Sequence, residues 1–319
     1  MGEDLPNPGE FATAPYLPGL MLARMKVAQI FVPETQNLIG SSRKGNEKVK
    51  RVFDEKIGDA KLVIAEQDGG FTGTLWRQGK KVETFESDNL ERLKAQLRNL
   101  AGKLHPDYVG IEGAKARFRS FFSKGFEDLH YLEKERAYKV KAREKLLLSA
   151  PLEKALEADA DVSEACRKAL GTNLLARFEA ARMTELLRSK EGPAFVRAAA
   201  AFTLDPNRAS LNSMEHALLP HGRGSWPLVT YFPYLWAPDT QMFLKPEATM
   251  DFAVRIGHHF SRSYESALKV EVYHSLSELA ASTQADISDL HPQDRIDVQS
   301  FIWVVGAYSD ADRTIAPGK

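Results

Sequence analysis

Hydrophobic positions fall into two regimes along this chain. Before residue 105 they come in short runs bounded by glycine. After it they recur at three- and four-residue spacing. The stretch 26–32 reads as a strand, closed by Pro33, which has no N–H to give to a sheet. Residues 40–45 are polar and glycine-bounded, with Arg43 and Lys44, and read as a loop. Asn46 can cap a helix in which Val49, Val52, Phe53 and Ile57 share a face and Gly58 supplies the stop.

Three strands are expected next, at 61–66, 71–77 and 82–86. Asp68-Gly69-Gly70 and Gln78-Gly79-Lys80 separate them, and such residues tolerate the backbone angles of tight hairpins. Ser87 or Asp88 can cap a helix reaching about Leu100, with Leu90, Leu93, Leu97 and Leu100 as its apolar stripe and Gly102 beyond it. The order is thus β-α-β-β-β-α.

From residue 105 onward the helical period dominates. Helices are expected at 112–122, 131–148, 152–157, 163–170, 174–188, 193–201 and 208–219. The block 226–236 is too apolar for periodicity to classify; Pro233 weakens a strand, and Pro227 suits a first helical turn, so a helix is expected there too. Phe243 to Pro246 reads as extended, and helices follow at 249–256, 264–282 and 294–305, the last opened by Asp294 and Asp297. The chain therefore reads as α+β: a leader at 1–24, a small α/β module at 25–104 and a mainly helical domain at 105–319. Residues 1–24 read as a flexible leader or the product of an upstream start, because Met25-Lys26-Val27 begins the first strand naturally.

Composition narrows the function classes. With 319 residues, 43% hydrophobic and 27% charged, the chain suits a folded globular protein. Lys plus Arg and Asp plus Glu both number 43, so any basic surface must be local. The lone cysteine, Cys166, rules out an intrachain disulfide and points to a reducing compartment. The apolar patch at 16–23 is broken by Pro18 and Gly19 and follows Glu3, Asp4 and Glu10, unlike a secretory signal. No apolar run approaches the roughly 18 to 20 residues a bilayer requires. A cytoplasmic protein without membrane association is expected.

Candidate nucleic-acid contacts lie in two places. The helix from Asn46 with the next three strands and helix gives the α-β-β-β-α order of double-stranded RNA-binding domains, with Trp76, Arg77, Lys80 and Lys81 as contacts. Ser87, Asp88 and Glu91, however, stand where such a domain carries lysines, and their charge would repel phosphate. The second place is the run Lys134 to Lys145. At 100° per residue, Lys134, Lys141 and Lys145 form one line and Arg136, Lys139 and Arg143 the opposite one, two rails that Arg117 and Arg119 could extend. The same pattern suits cations whose stems flank a buried stripe.

Enzyme chemistry has weaker support. His258 and His259, adjacent on a helix, would point about 100° apart, and with His274 they lack a metal-ligand spacing, so no metal or cofactor is expected. G-x-S-x-G, Walker and dinucleotide fingerprints are absent. A divergent hydrolase or nuclease would have to assemble from His221, Lys245, His258 and Asp297. Asp297, Gln299 and Ser300 are polar residues in an otherwise apolar helix, so Asp297 is expected to pair with backbone donors or with Lys245 or Arg295.

The segments Tyr231-Phe232-Pro233 through Phe243-Leu244-Lys245-Pro246, and Asp294-Arg295-Ile296-Asp297-Val298-Gln299-Ser300-Phe301-Ile302-Trp303, resemble an uncharacterised bacterial family associated with restriction or antiphage defence. The resemblance covers the last third of the chain and carries no catalytic residue. It implies a bacterial cytoplasmic origin and a defence or nucleic-acid context. The functional expectation is a non-enzymatic factor that contacts nucleic acid or a protein partner. An exposed apolar patch at 226–236 would be the docking surface for the latter.

Overall fold

The computed structural model describes residues 50–312 other than 58, 68, 172 and 310. These residues fall within one compact unit. The leader at 1–24, the strand at 26–32 and the loop at 40–45 lie outside the described residues.

Four strands, β1 (Lys50–Ile57), β2 (Ala60–Gln67), β3 (Gly70–Arg77) and β4 (Lys80–Ser87), form an antiparallel meander in sequence order. The helix expected from Asn46 to Ile57 is corrected, since 50–57 is a strand. Over so few residues Val52, Phe53 and Ile57 fit either period. Pairing with β2 decides the matter, running from Lys50 opposite Glu66 to Ile57 opposite Ala60. A bulge between Arg51 and Phe53 leaves both Val52 and Phe53 half-buried, which the helical spacing had mimicked. The α-β-β-β-α order goes with that helix, and the described module is β-β-β-β-α.

Helix α1 (Leu90–Gly102) starts one residue later than expected, capped by Asn89, whose side chain accepts the Arg92 N–H. It lays Leu93, Leu97 and Ala101 on Leu62, Ile64 and Leu75 of the sheet. Burying each leucine contributes about 1.5–3 kcal/mol. The approach is close: a Cβ on Gly73 would stand 2.9 Å from Leu93 Cγ and Leu97 Cδ1, so a glycine in mid-strand is what lets the helix settle.

The rest is helical: α2 (Gly110–Phe121), α3 (Leu129–Tyr131), a π-helical turn (Leu132–Arg136), α4 (Ala137–Ser149), α5 (Leu152–Leu156), α6 (Ala160–Ala169) and α7 (Arg177–Arg188). There follow α8 (Gly192–Leu204), α9 (Arg208–Leu218), α10 (Trp226–Trp236), α11 (Pro246–Ile256), α12 (Phe260–Ser263), α13 (Val270–Asp286) and α14 (Arg295–Ala307). The fold class is therefore α+β with a mostly helical body. The helix expected at 264–282 begins only at Val270, as α13, and 264–269 links it to α12.

Every residue of α10 is buried, Pro233 included. The block 226–236 is thus the centre of the helical core and not an exposed docking patch, which corrects that expectation. Phe118, Phe122, Phe126 and Tyr131 form an aromatic cluster with Phe301 of α14, ring centroids 4.9 to 5.8 Å apart. Gly306 brings α14 against α11, and a Cβ there would collide with the Ala248 carbonyl oxygen. Among the described residues no helix is long and apolar enough to cross a membrane.

Candidate functional site

The sheet has two unlike faces. Residues that pair with Leu62, Ile64 and Leu75 turn toward α1. Those between them turn away, where among the described elements none packs. The registers align this second face in rows that cross all four strands. At one end Lys56 lies opposite Lys61, Lys61 opposite Trp76 and Trp76 opposite Lys81. The middle row is Asp54, Val63, Thr74 and Thr84, and the far row Arg51, Ala65, Thr72 and Glu86.

All three lysines of the first row are exposed, and Trp76 keeps 38% of its surface in solvent. The face forms a shallow concavity of about 520 Å³ over a floor of Val63, Ala65, Thr72 and Thr74. In the three rows four cations, Arg51, Lys56, Lys61 and Lys81, stand against two carboxylates, Asp54 and Glu86, and Asp59, held by Arg77, also lines the concavity. Asp54 meets Arg51 at 2.9 Å and Lys61 at 3.3 Å, exposed pairs that yield readily to a stronger anion. Lys56 and Lys81 make no ion pair among the described residues.

Of the expected contacts in this module, Trp76 and Lys81 lie on the uncovered face. Arg77 and Lys80 pair with each other on the α1 side, and Arg77 is held by Asp59 at 2.7 Å. That ion pair is also the main reason the Asp59 carboxyl titrates below its usual range. Sequence reading missed Lys56 and Lys61. Lys56 was hidden by the helical reading of β1, and Lys61 is placed beside Trp76 only by the strand register.

The basic run meets a different fate. The π turn inserts a residue into the helical repeat, and the two rails lose their alignment. Lys139 is fully buried, its Nζ donating to Ser300 Oγ at 2.7 Å and lying 3.3 Å from Glu135. Burial pulls its pKa down to about 8 against the pull of Glu135. Arg136 forks onto Asp294 with two bonds of 2.9 Å and donates to Asp297 at 2.7 Å. Burial works against that guanidinium's charge, but Asp294 and Asp297 outweigh it and hold its pKa above the ordinary value.

Asp297 also accepts from Tyr131 Oη at 2.5 Å and from the Gln293 N–H at 2.8 Å. The backbone donor is as expected, whereas the cation is Arg136 in place of Lys245 or Arg295, and Tyr131 joins it. Burial, then the Asp297 charge, drives the Tyr131 phenol well above its usual pKa. Lys134 sits over the Tyr308 ring at 4.8 Å, and the Arg143 Nε is buried without a hydrogen-bond partner among the described residues. Arg117 donates to the carbonyls of Val305 and Tyr308, and Arg119 lies 3.8 Å from Asp289. Lys141 and Lys145 remain exposed on α4.

The four residues weighed for catalysis are dispersed. Asp297 belongs to the buried network. His221 contacts Ser189 Oγ at 3.1 Å. Lys245 borders a cavity of about 660 Å³ with Trp226, Tyr264, Trp303 and Arg223, where it lies 3.8 Å from Glu179. His258 follows Gly257 in the turn after α11, and its ring stacks on His259 at 4.4 Å instead of diverging along a helix.

His258, His259 and Glu278 bring one ligand-type atom each within 4.8 Å of one another. The arrangement suits hydrogen bonding better than a metal. His258 Nδ1 already accepts the Phe260 N–H at 3.1 Å, and His259 Nε2 lies 3.1 Å from Ser275 Oγ. Burial, then the neighbouring His259, takes the His258 pKa down to about 3. Cys166 is buried, which lifts its thiol to about 12 and leaves it inert. Comparison with protein-family models, with curated proteins and with solved structures gives no match for this chain.

Proposed function

We propose that this protein is a non-enzymatic nucleic-acid-associated factor that uses the uncovered face of its β-sheet as the contact surface and its helical body as a scaffold. The row Lys56, Lys61, Trp76, Lys81 carries the reading. Three ammonium groups at neighbouring strand positions match a polyanion, and the release of its counterions drives association. A soluble sheet face of threonines and alanine needs no exposed indole, whereas a nucleic-acid surface uses one.

The basic helix contributes less in this reading than its composition suggests. Lys139 has no surface to offer, Arg136 is committed to Asp294 and Asp297, and only Lys141 and Lys145 are left to extend the field. A hydrolase reading would have to centre on the cavity beside Lys245, yet His221, His258 and Asp297 do not line it. A bacterial cytoplasmic setting and a place in antiphage defence rest on the sequence resemblance and belong to the same proposal.

Fluorescence polarisation with labelled single- and double-stranded DNA and RNA, repeated over a salt series, tests the reading. Binding to at least one of them, with log K falling linearly in log salt, is the expected result. Failure to bind any of the four, or binding indifferent to salt, rejects it.

A further inference from the structure

The geometry points to single-stranded nucleic acid as the ligand of the uncovered sheet face, with one unpaired base stacked on Trp76 and the phosphates on either side of it held by Lys61 and Lys81. This inference rests on the nucleic-acid reading of the same face and names the class of nucleic acid.

Three observations carry it. First, Trp76 is flanked across the strands by Lys61 on β2 and by Lys81 on β4. Adjacent strands are ~4.8 Å apart, so a cation stands within one nucleotide's reach on each side of the ring. Lys56 continues the row on β1. A chain crossing the strands would meet charge, ring, charge and charge in that order. Second, the floor beside the ring is built from Val63, Ala65, Thr72 and Thr74. These short side chains leave room above the sheet for a flat base and its sugar.

Third, the dimensions disfavour a duplex. Four strands measure about 14 Å between the outer axes, more than the roughly 12 Å width of the B-form major groove, so the sheet cannot enter face-on. A paired base is also stacked on its neighbours, and its ring face is closed to Trp76. The row holds lysines and no Asn, Gln or Arg fork, the groups that read base edges. Binding should therefore tolerate many sequences, as stacking on an aromatic platform does.

The test uses the full-length protein with three fluorescein-labelled probes of equal length: oligo-dT, oligo-U and a DNA duplex. Either oligomer is expected to bind more tightly than the duplex, to quench part of the intrinsic tryptophan fluorescence and to lose about five- to a hundredfold in affinity in Trp76→Ala. Trp76→Phe should keep most of the affinity, because a ring remains for stacking, while the quenching disappears. Preference between oligo-dT and oligo-U then reports whether a 2′-hydroxyl is used. Trp76 is partly exposed, and the melting temperature of each variant establishes that the fold is kept.

Single-strand binding that ignores Trp76→Ala, or a duplex bound at least as tightly, overturns the inference and leaves the broader reading standing. Absence of binding to all three probes overturns the inference, and the same absence with duplex RNA removes the broader reading as well. Self-association abolished by Trp76→Ala, seen in sedimentation, would assign the face to a second copy of the chain and equally overturn it.

Discussion

Arg136 and Asp297 meet 2.7 Å apart in the interior, on segments 161 residues apart in sequence. The π turn delivers the guanidinium, and the first turn of α14 delivers the carboxylate. Removing the carboxylate would leave Arg136 only its fork onto Asp294 and take the acceptor from the Tyr131 hydroxyl and the Gln293 N–H. Asp297→Ala is expected to lower stability by about 1–3 kcal/mol for each buried donor left without its acceptor. Urea denaturation of Asp297→Ala, Arg136→Met and the double variant measures the coupling. Additive losses would show that the two side chains do not act on each other.

A second expectation concerns the packing of α14 on α11. Gly306→Ala adds a Cβ where the Ala248 carbonyl oxygen already stands, and backbone cannot swing aside as a side chain can. Overpacking of this kind costs about 1–3 kcal/mol. Thermal melting should fall by several degrees. An unchanged melting temperature would mean that the two helices separate without penalty.

The paired histidines give a pH dependence. Burial holds the His258 pKa near 3, with His259 adding repulsion, while the unfolded chain takes its proton near 6.5. His259 is also shifted down, chiefly by burial, against the pull of Glu278 and with the push of Arg98. Between those values the unfolded state binds more protons than the folded one, so stability falls as pH falls below about 6.5. Each pH unit costs at most about 1.4 kcal/mol per histidine. His258→Asn keeps an acceptor for the Phe260 N–H and cannot titrate. Urea midpoints at pH 6.5 and pH 5 should differ less in this variant than in the natural protein; an equal difference would deny the imidazole its part.

Much of the fold was legible in the sequence, because local pattern and packing agree in most elements. The leucine stripe of α1 lies on the sheet as its spacing predicts, and Asp294 caps α14 by accepting from the Ile296 and Asp297 N–H groups. The misreading of β1 has a physical cause. Eight residues with a bulge satisfy two periods at once, and only pairing with β2 separates them. The basic run misled for another reason. An ideal helical wheel assumes an unbroken repeat, and the π turn at Leu132–Arg136 shifts the residues around it. Asp297 was recognised as a buried polar residue that needs partners, but which cation would reach it depends on how α14 packs against the turn. Trp76 and Lys81 stood out in sequence. That Lys56 and Lys61 join them in one row is a matter of register, which no single strand encodes.

The salt dependence of single-strand binding, compared between the natural protein and a Lys56→Gln, Lys61→Gln, Lys81→Gln variant, probes the row most directly. Each phosphate contact contributes about 0.7 to the slope of log K against log salt for single strands. The slope should therefore become shallower by about 2 in the triple variant, with melting behaviour preserved. An unchanged slope with binding intact would place the phosphates elsewhere on the molecule and contradict the assignment of the sheet face.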